Sequence, residues 1–195
     1  MTPMSLVLLK NTIFAFTDIE TTGLDPFRGD KICEIAVLRS RYKQKIASFH
    51  SLIDPGRNIS PAAYAVNGIT EEMLIGKPKF AEVATEILDV LHKAVIVCHN
   101  APFDIGFLES EINLMGLTIP EFPVIDTLII SRRYFNFQGN NLNSVARCLG
   151  VKIDQQHRAM SDVITTEKIF WELIKDLQRR GGVNTLADVF SLCKK

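Results

Sequence analysis

The chain has few cysteines, no long hydrophobic run and no excess of charge of either sign. Each absence reduces the number of structural and functional classes to which the chain could belong. Four cysteines among 195 residues form no Cys-x-x-Cys pair, so the spacing typical of a structural zinc site is missing. No apolar run approaches the roughly 20 residues that a transmembrane helix needs. Basic and acidic residues both total 22, so bulk charge gives no support to nucleic-acid binding. It does not exclude such binding, because a short strand needs only a local basic groove.

The N-terminal residues also lack the features of a secretion signal. No cationic region precedes their apolar residues, and no small-residue cleavage site follows. Three of the four cysteines lie in apolar or helix-like stretches, which is typical of reduced, buried thiols. We therefore expect a cytoplasmic protein with no membrane association. The length suits one sizeable domain, which we place at residues 1–180, followed by a short C-terminal helical tail at 181–195.

The hydrophobic pattern predicts a mixed α/β protein. Apolar runs predict strands over residues 13–18, 32–38, 46–53 and 94–98. Helical spacing of apolar residues predicts helices over 61–66, 70–75, 80–92, 103–115, 128–134, 142–149, 161–180 and 184–193. Three early strands followed by one strand among many helices indicate a sheet that is covered by helices.

Two carboxylates stand at the end of the first apolar run, in the segment FTDIETTGLD. Asp18 and Glu20 are two residues apart, so on a strand both side chains leave the same face. Burying two like charges together is costly, which requires a cation partner, a metal ion or a proton-transfer role. A frayed strand end with solvated acids is the alternative. Gly23 favours a sharp turn beside the acids.

Two further clusters carry polar groups at the starts of helices. The segment VCHNAPFD places Asp104, beside Phe103, in the first turn of a helix that follows a buried strand. The segment HRAMSD places Asp162 at the start of the long C-terminal helix, five residues after His157. Each aspartate alone is typical of a helix-dipole or capping residue. Open α/β sheets, however, bind ligands at the carboxyl ends of their strands.

The order of these segments resembles the DEDDh exonuclease family, also called DnaQ-like, which includes the epsilon proofreading subunits. The resemblance covers about residues 11–178 and includes AVNGIT at 65–70 and HNAPFDIGFL at 99–108. Asn67 stands where the family often has histidine, and Val163 follows Asp162 where alanine is common. The family implies a ribonuclease H-like three-layer fold, with a central mixed five-stranded sheet flanked by helices.

The resemblance also implies the chemistry of the site. Two divalent cations, Mg²⁺ or Mn²⁺, would be held by four carboxylates: Asp18, Glu20, Asp104 and Asp162. Four acids offset the charge of two such ions, and oxygen ligands suit hard cations. His157 would be the general base, because an imidazole with a pKa near 6.5 suits neutral pH. A sister family has tyrosine four residues before the last aspartate, where this chain has Arg158.

The resemblance implies substrate contacts on both sides of the acids. The residues expected to approach the terminal nucleotide are Thr21, Thr22, Gly23, Leu24, His99, Asn100 and Phe103. Leu24 would wedge against the base and Phe103 would stack on it, which tolerates any base sequence. Ordinary packing is the alternative for these two apolar side chains.

Three functions remain open at this point. The first is a 3′→5′ exonuclease that releases mononucleotides from the 3′ ends of single-stranded or frayed DNA, either as a proofreading subunit with a DNA polymerase or alone. The second is a 3′→5′ exoribonuclease of the ribonuclease T or oligoribonuclease type. The third is a nucleic-acid-binding polymerase adaptor without catalysis. No residue decides whether the site accepts a 2′-hydroxyl group.

Two other polar features have simpler interpretations. Glu34 lies inside an apolar strand, where we expect a buried donor and no catalytic role. The basic residues Arg39, Arg41, Lys43 and Lys45 are typical of a guarded strand edge, with a phosphate track as the alternative.

Overall fold

The structure is a computed structural model that describes residues 7–153 and 158–194. Its five strands are β1 (Ile13–Thr21), β2 (Ile32–Arg41), β3 (Gln44–Leu52), β4 (Val95–Cys98) and β5 (Val124–Asp126). They form one sheet in the order β3-β2-β1-β4-β5. The pairs β1–β2 and β2–β3 are antiparallel, whereas β1–β4 and β4–β5 are parallel. The expected mixed five-stranded sheet is confirmed.

Eight α-helices surround the sheet in the described ranges. They are α1 (Pro61–Asn67), α2 (Glu71–Leu74), α3 (Phe80–Leu91), α4 (Ala101–Leu114), α5 (Thr127–Tyr134), α6 (Leu142–Cys148), α7 (Ala159–Arg179) and α8 (Leu186–Cys193). Side chains of Ser60, Thr70, Asn141 and Thr185 accept hydrogen bonds from backbone N–H groups at the starts of α1, α2, α6 and α8. These caps satisfy donors that the first helical turn leaves without a partner.

The sheet separates two hydrophobic core clusters, and β1 contributes to both. Phe14 and Phe16 pack on the side of α7, where their rings meet Phe170 at centroid distances of 5.1 and 5.7 Å. Ala15 and Ile19 pack on the other side, against α3 and α4. Alternation along a strand therefore turns the even-numbered residues of β1 toward α7. Asp18 and Glu20 continue this even-numbered series.

The pattern missed β5, which is only three residues long and follows Pro123. A run this short gives no periodicity, so the fifth strand was expected from the family resemblance alone. At the opposite edge of the sheet, β3 carries the exposed Lys45. Arg39 belongs to a different contact, because its Nη1 donates to the carbonyls of Val90 and His92 at 2.7 and 2.8 Å.

Two other expectations concern thiols and membranes. All four cysteines are free, and Cys33 and Cys98 are buried. Among the described residues, no helix combines the length and the apolar character that crossing a membrane requires.

Candidate active site

The carboxylates of Asp18 and Glu20 lie at the carboxyl end of β1, on the face that looks toward α7. Both side chains are partly exposed, while the residues before them are buried. The register between β1 and β2 shifts directly after Glu20. Bulges of this kind often occur beside active sites, where they re-aim side chains. The end of β1 thus presents two acids at an open edge of the sheet.

Asp162 joins these two acids from the first turn of α7. It is 7% exposed, and one carboxylate oxygen from each of Asp18, Glu20 and Asp162 lies within 4.8 Å of the others. The positive end of the helix dipole favours a negative charge at this position. The structure therefore brings together three of the four acids that the family resemblance implied, from two elements far apart in the chain.

Asp104 lies beside this group, in the first turn of α4. Its carboxyl group is buried and accepts a hydrogen bond from the backbone N–H of Ile19, between the two acids of β1. It does not belong to the set of three acids within 4.8 Å. Among neighbouring charges, however, Asp104 makes the largest contribution to the raised pKa of Asp18. All four acids therefore share one electrostatic environment.

Burial and mutual repulsion raise the pKa values of these acids. The pKa of Asp18 lies well above its usual value because the surrounding protein desolvates its carboxyl group and because Asp104, Glu20 and Asp162 repel its charge. Burial, followed by repulsion from Asp162 and Glu34, raises the pKa of Glu20 to about 7. Oxygen donors whose negative charges repel one another form a set that fits hard divalent cations.

The raised pKa of Glu20 predicts how the stability of the metal-free protein changes with pH. Between pH 4.5 and about 7 the folded chain keeps a proton that the unfolded chain releases, so the free energy of unfolding falls as pH rises. Glu20→Gln should reduce that slope, with Asp18 and Asp104 supplying the rest, and raise the melting temperature in EDTA at neutral pH. It should also reduce the stabilisation by added Mn²⁺. Thermal melts over this pH range measure both effects, and identical slopes for the two proteins would contradict the prediction.

Glu34 connects β2 to the start of α7. It lies directly across from Glu20 in the register of the two strands and is fully buried. Arg158 Nη2 donates to Glu34 Oε1 at 3.0 Å, and the N–H of Ala159 donates to Oε2 at 3.3 Å. His50 Nε2 lies 2.7 Å from Oε1. The expectation of a buried donor is confirmed. The carboxylate also holds the first turn of α7, which carries Asp162.

We predict that Glu34 positions Asp162 through Arg158 and Ala159. Glu34→Gln should weaken Mn²⁺-induced stabilisation and should lower kcat for the nuclease activity that the family resemblance implies more than it changes KM, because the first turn of α7 loses its charged anchor. Breaking a buried ion pair also costs roughly 3–5 kcal/mol of stability. Glu167→Gln is the matched control, since Glu167 lies on the same helix and pairs with Ser40. If Glu34→Gln lowers stability alone, with the metal response and kcat intact, the positioning role is wrong.

Asp30 and Arg57, to which the sequence analysis gave no role, hold the loop after β1. The Asp30 carboxylate accepts hydrogen bonds from Thr22 Oγ1 and Asp25 N at 3.3 and 3.1 Å, and it pairs with Arg57 at 3.2 Å. It lies so close to Gly23 that a Cβ there would clash with it. No local sequence motif predicts this role of Asp30, because only the folded conformation of the loop brings its carboxylate next to Gly23.

Asn67, the departure from the common family pattern, contacts the site itself. Its side chain donates hydrogen bonds to the carbonyl of Thr21 at 3.2 Å and to the carboxylate of Glu20. The N–H of Ile69 donates to its Oδ1 at 3.0 Å. The amide therefore orients Glu20 and is itself held in place.

The residues expected at the substrate lie on both sides of the acids. Thr21, Thr22 and Gly23 are buried, whereas Leu24 is 83% exposed at the tip of its loop. On the other side Asn100 is exposed in a left-handed conformation (φ 86°), and the half-buried Phe103 packs against Phe107.

His99 is engaged within the protein. Its Nε2 donates to the carbonyl of Asn140 at 2.8 Å, and its Nδ1 lies 2.9 Å from Thr127 Oγ1. Burial lowers the pKa of His99, which favours the neutral ring. A substrate contact through a ring nitrogen would have to replace one of these hydrogen bonds. His157 lies outside the described residues.

Asp126 supports this side of the site and was missed. Its carboxylate accepts hydrogen bonds from the N–H groups of Asn100, Ala101 and Leu128 at 3.1, 3.2 and 2.8 Å. It therefore joins the ends of β4 and β5 to the starts of α4 and α5. The apolar pair Val124-Ile125 followed by Asp-Thr was the available signal for a strand that ends in a helix cap.

Comparison with known proteins gives the family. Residues 15–170 match the model of the RNase T type that is described as "Exonuclease". A PolC-type DNA polymerase III of Thermotoga petrophila is 36% identical over 184 residues, which are 94% of this chain and 13% of that protein. A DNA polymerase III subunit epsilon-like protein of Rhodobacter capsulatus is 38% identical over 192 residues, 96% of this chain and 27% of that protein. The chain thus spans about an eighth and a quarter of their lengths.

Solved structures show the same fold at lower identity. Exonuclease X in complex with 5′ overhanging duplex DNA is 24% identical, with a TM-score of 0.67 over 93% of this chain and 99% of that one. The nuclease domain of 3′hExo, a DEDDh family member bound to rAMP, is 18% identical, with a TM-score of 0.71 over 84% and 92%. The expected ribonuclease H-like fold is confirmed. With a family model over most of its length and relatives that share more than a third of its residues, the chain belongs to the DEDDh exonuclease family.

Proposed function

We propose that this chain is a 3′→5′ exonuclease that hydrolyses the terminal phosphodiester of DNA and releases nucleoside monophosphates. One observation carries the proposal: carboxylates of Asp18, Glu20 and Asp162 converge within 4.8 Å at the carboxyl end of β1, with Asp104 beside them. The cluster opens to solvent at the edge where α/β sheets bind ligands. An acid cluster with only a structural role would not need that opening.

The four acids would hold two divalent cations, Mg²⁺ or Mn²⁺. Their donor atoms are all oxygens, which suits hard cations. Without cations, burial and then repulsion from Asp162 and Glu34 raise the pKa of Glu20 to about 7. Bound cations would neutralise this charge, polarise the scissile phosphate and lower the pKa of the attacking water. Asn67 and Glu34 serve this function by keeping Glu20 and the start of α7 in place.

His157 is proposed as the general base that takes a proton from the attacking water. The water oxygen bonds to phosphorus as the P–O3′ bond breaks, and the leaving 3′ oxygen takes up a proton from solvent, so the shortened strand carries a 3′ hydroxyl group. Arg158, the next residue, is anchored to Glu34 by the ion pair at 3.0 Å. The chain directly after His157 is therefore tied to the same face of the sheet as Glu20, which supports this assignment.

The terminal nucleotide is proposed to enter between the two loops that flank the acids. Leu24 extends from the rigid loop held by Asp30, so it is placed to press against a base. Phe103 offers a partly exposed ring on the opposite side, and stacking tolerates any base. Backbone groups of Thr21, Thr22 and Gly23, with His99 and Asn100, would complete the contacts. A single-stranded or frayed 3′ end suits such a gap.

DNA is the first substrate because both polymerase relatives and exonuclease X are DNA proteins by name. A 3′→5′ exoribonuclease is the second candidate, since the 3′hExo nuclease domain binds rAMP. The epsilon-like relative supports a polymerase partner and a proofreading role. We propose residues 1–180 as the exonuclease unit of a cytoplasmic protein and 181–195 as its tail, whose helix α8 packs against α5 and β5.

The decisive experiment compares matched DNA and RNA oligonucleotides that carry a label at one end. With Mg²⁺ or Mn²⁺, a 5′-labelled DNA strand should shorten one nucleotide at a time, whereas a 3′-labelled strand should release labelled mononucleotide at once. Asp162→Asn should abolish cleavage, and Glu109→Gln, an exposed acid of α4, should retain it. Faster digestion of RNA would favour the second candidate. Binding without any cleavage would favour a silent polymerase adaptor.

The role of His157 has a separate test. His157→Ala should slow cleavage by about 10²–10⁴-fold, the usual effect of losing a general base. Mn²⁺ should still raise the melting temperature of this variant, because the carboxylates remain and binding to the native state stabilises it. A rate close to that of the wild type would exclude His157 as the base.

A further inference from the structure

A groove lined by lysines lies at the opposite end of β1 from the acids. It consists of two neighbouring cavities of about 480 and 550 Å³, which share Lys43 and Trp171 as walls. Helix α7 forms the floor of both, and the turn between β2 and β3 stands between them. The strand register pairs Arg41, next to this turn, with Ile13 at the start of β1. Asp18 is five residues farther along β1, about 16 Å away by strand rise.

Positive charge is concentrated in this groove although the whole chain is neutral. Five lysines line the two cavities, namely Lys10, Lys43, Lys152, Lys168 and Lys175, together with two acids, Glu167 and Glu172. Both acids are already engaged, since Glu167 accepts from Ser40 and Glu172 pairs with Lys175. Within the described ranges, Lys10, Lys43, Lys152 and Lys168 make no ion pair. The groove therefore offers uncompensated cations to an anionic occupant.

The turn in the middle of the groove has an unfavourable conformation. Tyr42 and Lys43 both have positive φ values, 42° and 68°, in a two-residue connection where Asn-Gly is strongly preferred. Non-glycine residues in this region cost of order 1–3 kcal/mol each, and such strain is concentrated at functional sites. The result is a 59% exposed Tyr42 whose ring meets Trp171 edge-on at 5.4 Å.

Trp171 forms part of the wall of both cavities, and its indole N–H is buried. Its side chain is 95% buried, since the residue is only 5% exposed, and its Nε1 has no hydrogen-bond partner among the residues that the structure describes. A buried donor without a partner costs roughly 1–3 kcal/mol. Nε1 itself has almost no accessible surface, so Trp171 contributes to the groove through its packing with Tyr42 and not as a donor to an occupant.

The shape of the aromatic surface favours a peptide over a nucleic-acid strand. Single-stranded nucleic acid needs successive aromatic faces for its bases, but Trp171 is almost wholly covered by Phe14, Phe170 and Tyr42. Only Tyr42 could stack on a base. The remaining walls are aliphatic, with Leu8 and Ile174 in one cavity and Leu149 and Val151 in the other. A peptide with acidic side chains next to leucine side chains would complement this groove, in which lysines lie next to aliphatic residues.

We propose that this groove binds an acidic, leucine-containing segment of a partner protein. The site is remote from the catalytic edge, so a bound partner leaves the acids of β1 accessible to a 3′ end. The relatives that match this chain carry most of their length outside the matched region. A partner held in the groove would keep an exonuclease of this size attached to a larger assembly. The proposal does not depend on which nucleic acid the active site cuts.

Trp171 provides the test, because it is the only tryptophan in the chain. The probe is a short synthetic peptide of glutamate, aspartate, leucine and alanine in helical alternation, without tyrosine or tryptophan. Titration into the wild-type chain in EDTA should give a saturable change in tryptophan emission. The same peptide with glutamine and asparagine in place of its acids should give none, because it carries no charge.

Matched charge reversals assign the site. The double variant Lys43→Glu and Lys168→Glu should weaken peptide binding about tenfold or more, because it replaces attraction to the acidic peptide by repulsion. A tenfold loss of affinity corresponds to about 1.4 kcal/mol. Lys77→Glu with Lys93→Glu, on exposed residues elsewhere, should leave it unchanged. Tyr42→Asn fits the left-handed turn and should lose the emission change while the fold is kept. Cleavage of a short oligonucleotide should be the same in all of these variants.

Three results would overturn the proposal. In the first, the acidic peptide and the amide peptide bind equally well. In the second, the charge reversals at Lys43 and Lys168 leave the affinity for the acidic peptide unchanged. In the third, oligothymidylate changes the tryptophan emission and the acidic peptide does not. The last result would make the groove a nucleic-acid surface. Melting temperatures of all variants, measured in parallel, separate a lost site from a lost fold.

Discussion

The repulsion among a few carboxylates is the constraint on which the rest of this structure depends. Asp18, Glu20 and Asp162 have oxygens within 4.8 Å of one another, an arrangement that the polypeptide can hold only through rigid elements and donors around it. The acids stand on a strand with hydrophobic packing on both faces and on the first turn of a 21-residue helix. Because both supports are packed into the core, folding itself supplies the free energy that keeps like charges together.

Neutral and cationic groups around the acids control where each carboxylate points. Asn67 donates to Glu20, the backbone of Ile19 donates to Asp104, and Arg158 offsets the charge of Glu34 across the strand pair. None of these contacts neutralises the whole cluster, so the site retains its demand for cations. These donors are therefore sufficient to fix the geometry of the carboxylates and too few to neutralise the negative charge that we propose binds metal.

Sequence reasoning reached the acids of β1 and part of the fold for identifiable reasons. The period of two along a strand predicts that Asp18 and Glu20 share a face, and this follows from backbone geometry alone. That Asp162 meets them depends on how α7 packs, which spacing does not encode; the expectation came from family resemblance. Asp30 and Asp126 were missed because their partners are backbone N–H groups brought close only by folding. The strand β5 was missed because three residues carry no period.

The two ends of β1 divide the molecule into regions with opposite electrostatic character. The carboxyl end carries a cluster of acids that repel one another, and the amino end borders a groove in which four of the five lysines make no ion pair with the described residues. The chain has equal numbers of acidic and basic residues. It can form an acidic cluster and a basic groove only if the two lie apart, because acids and lysines in one place would neutralise one another in local ion pairs. Segregation over about 16 Å exceeds the Debye length of about 8 Å at physiological ionic strength, so the lysines scarcely weaken metal binding. The net charge of the chain therefore reveals neither surface, and their separation is compatible with both the proposed metal site and the proposed anion-binding groove.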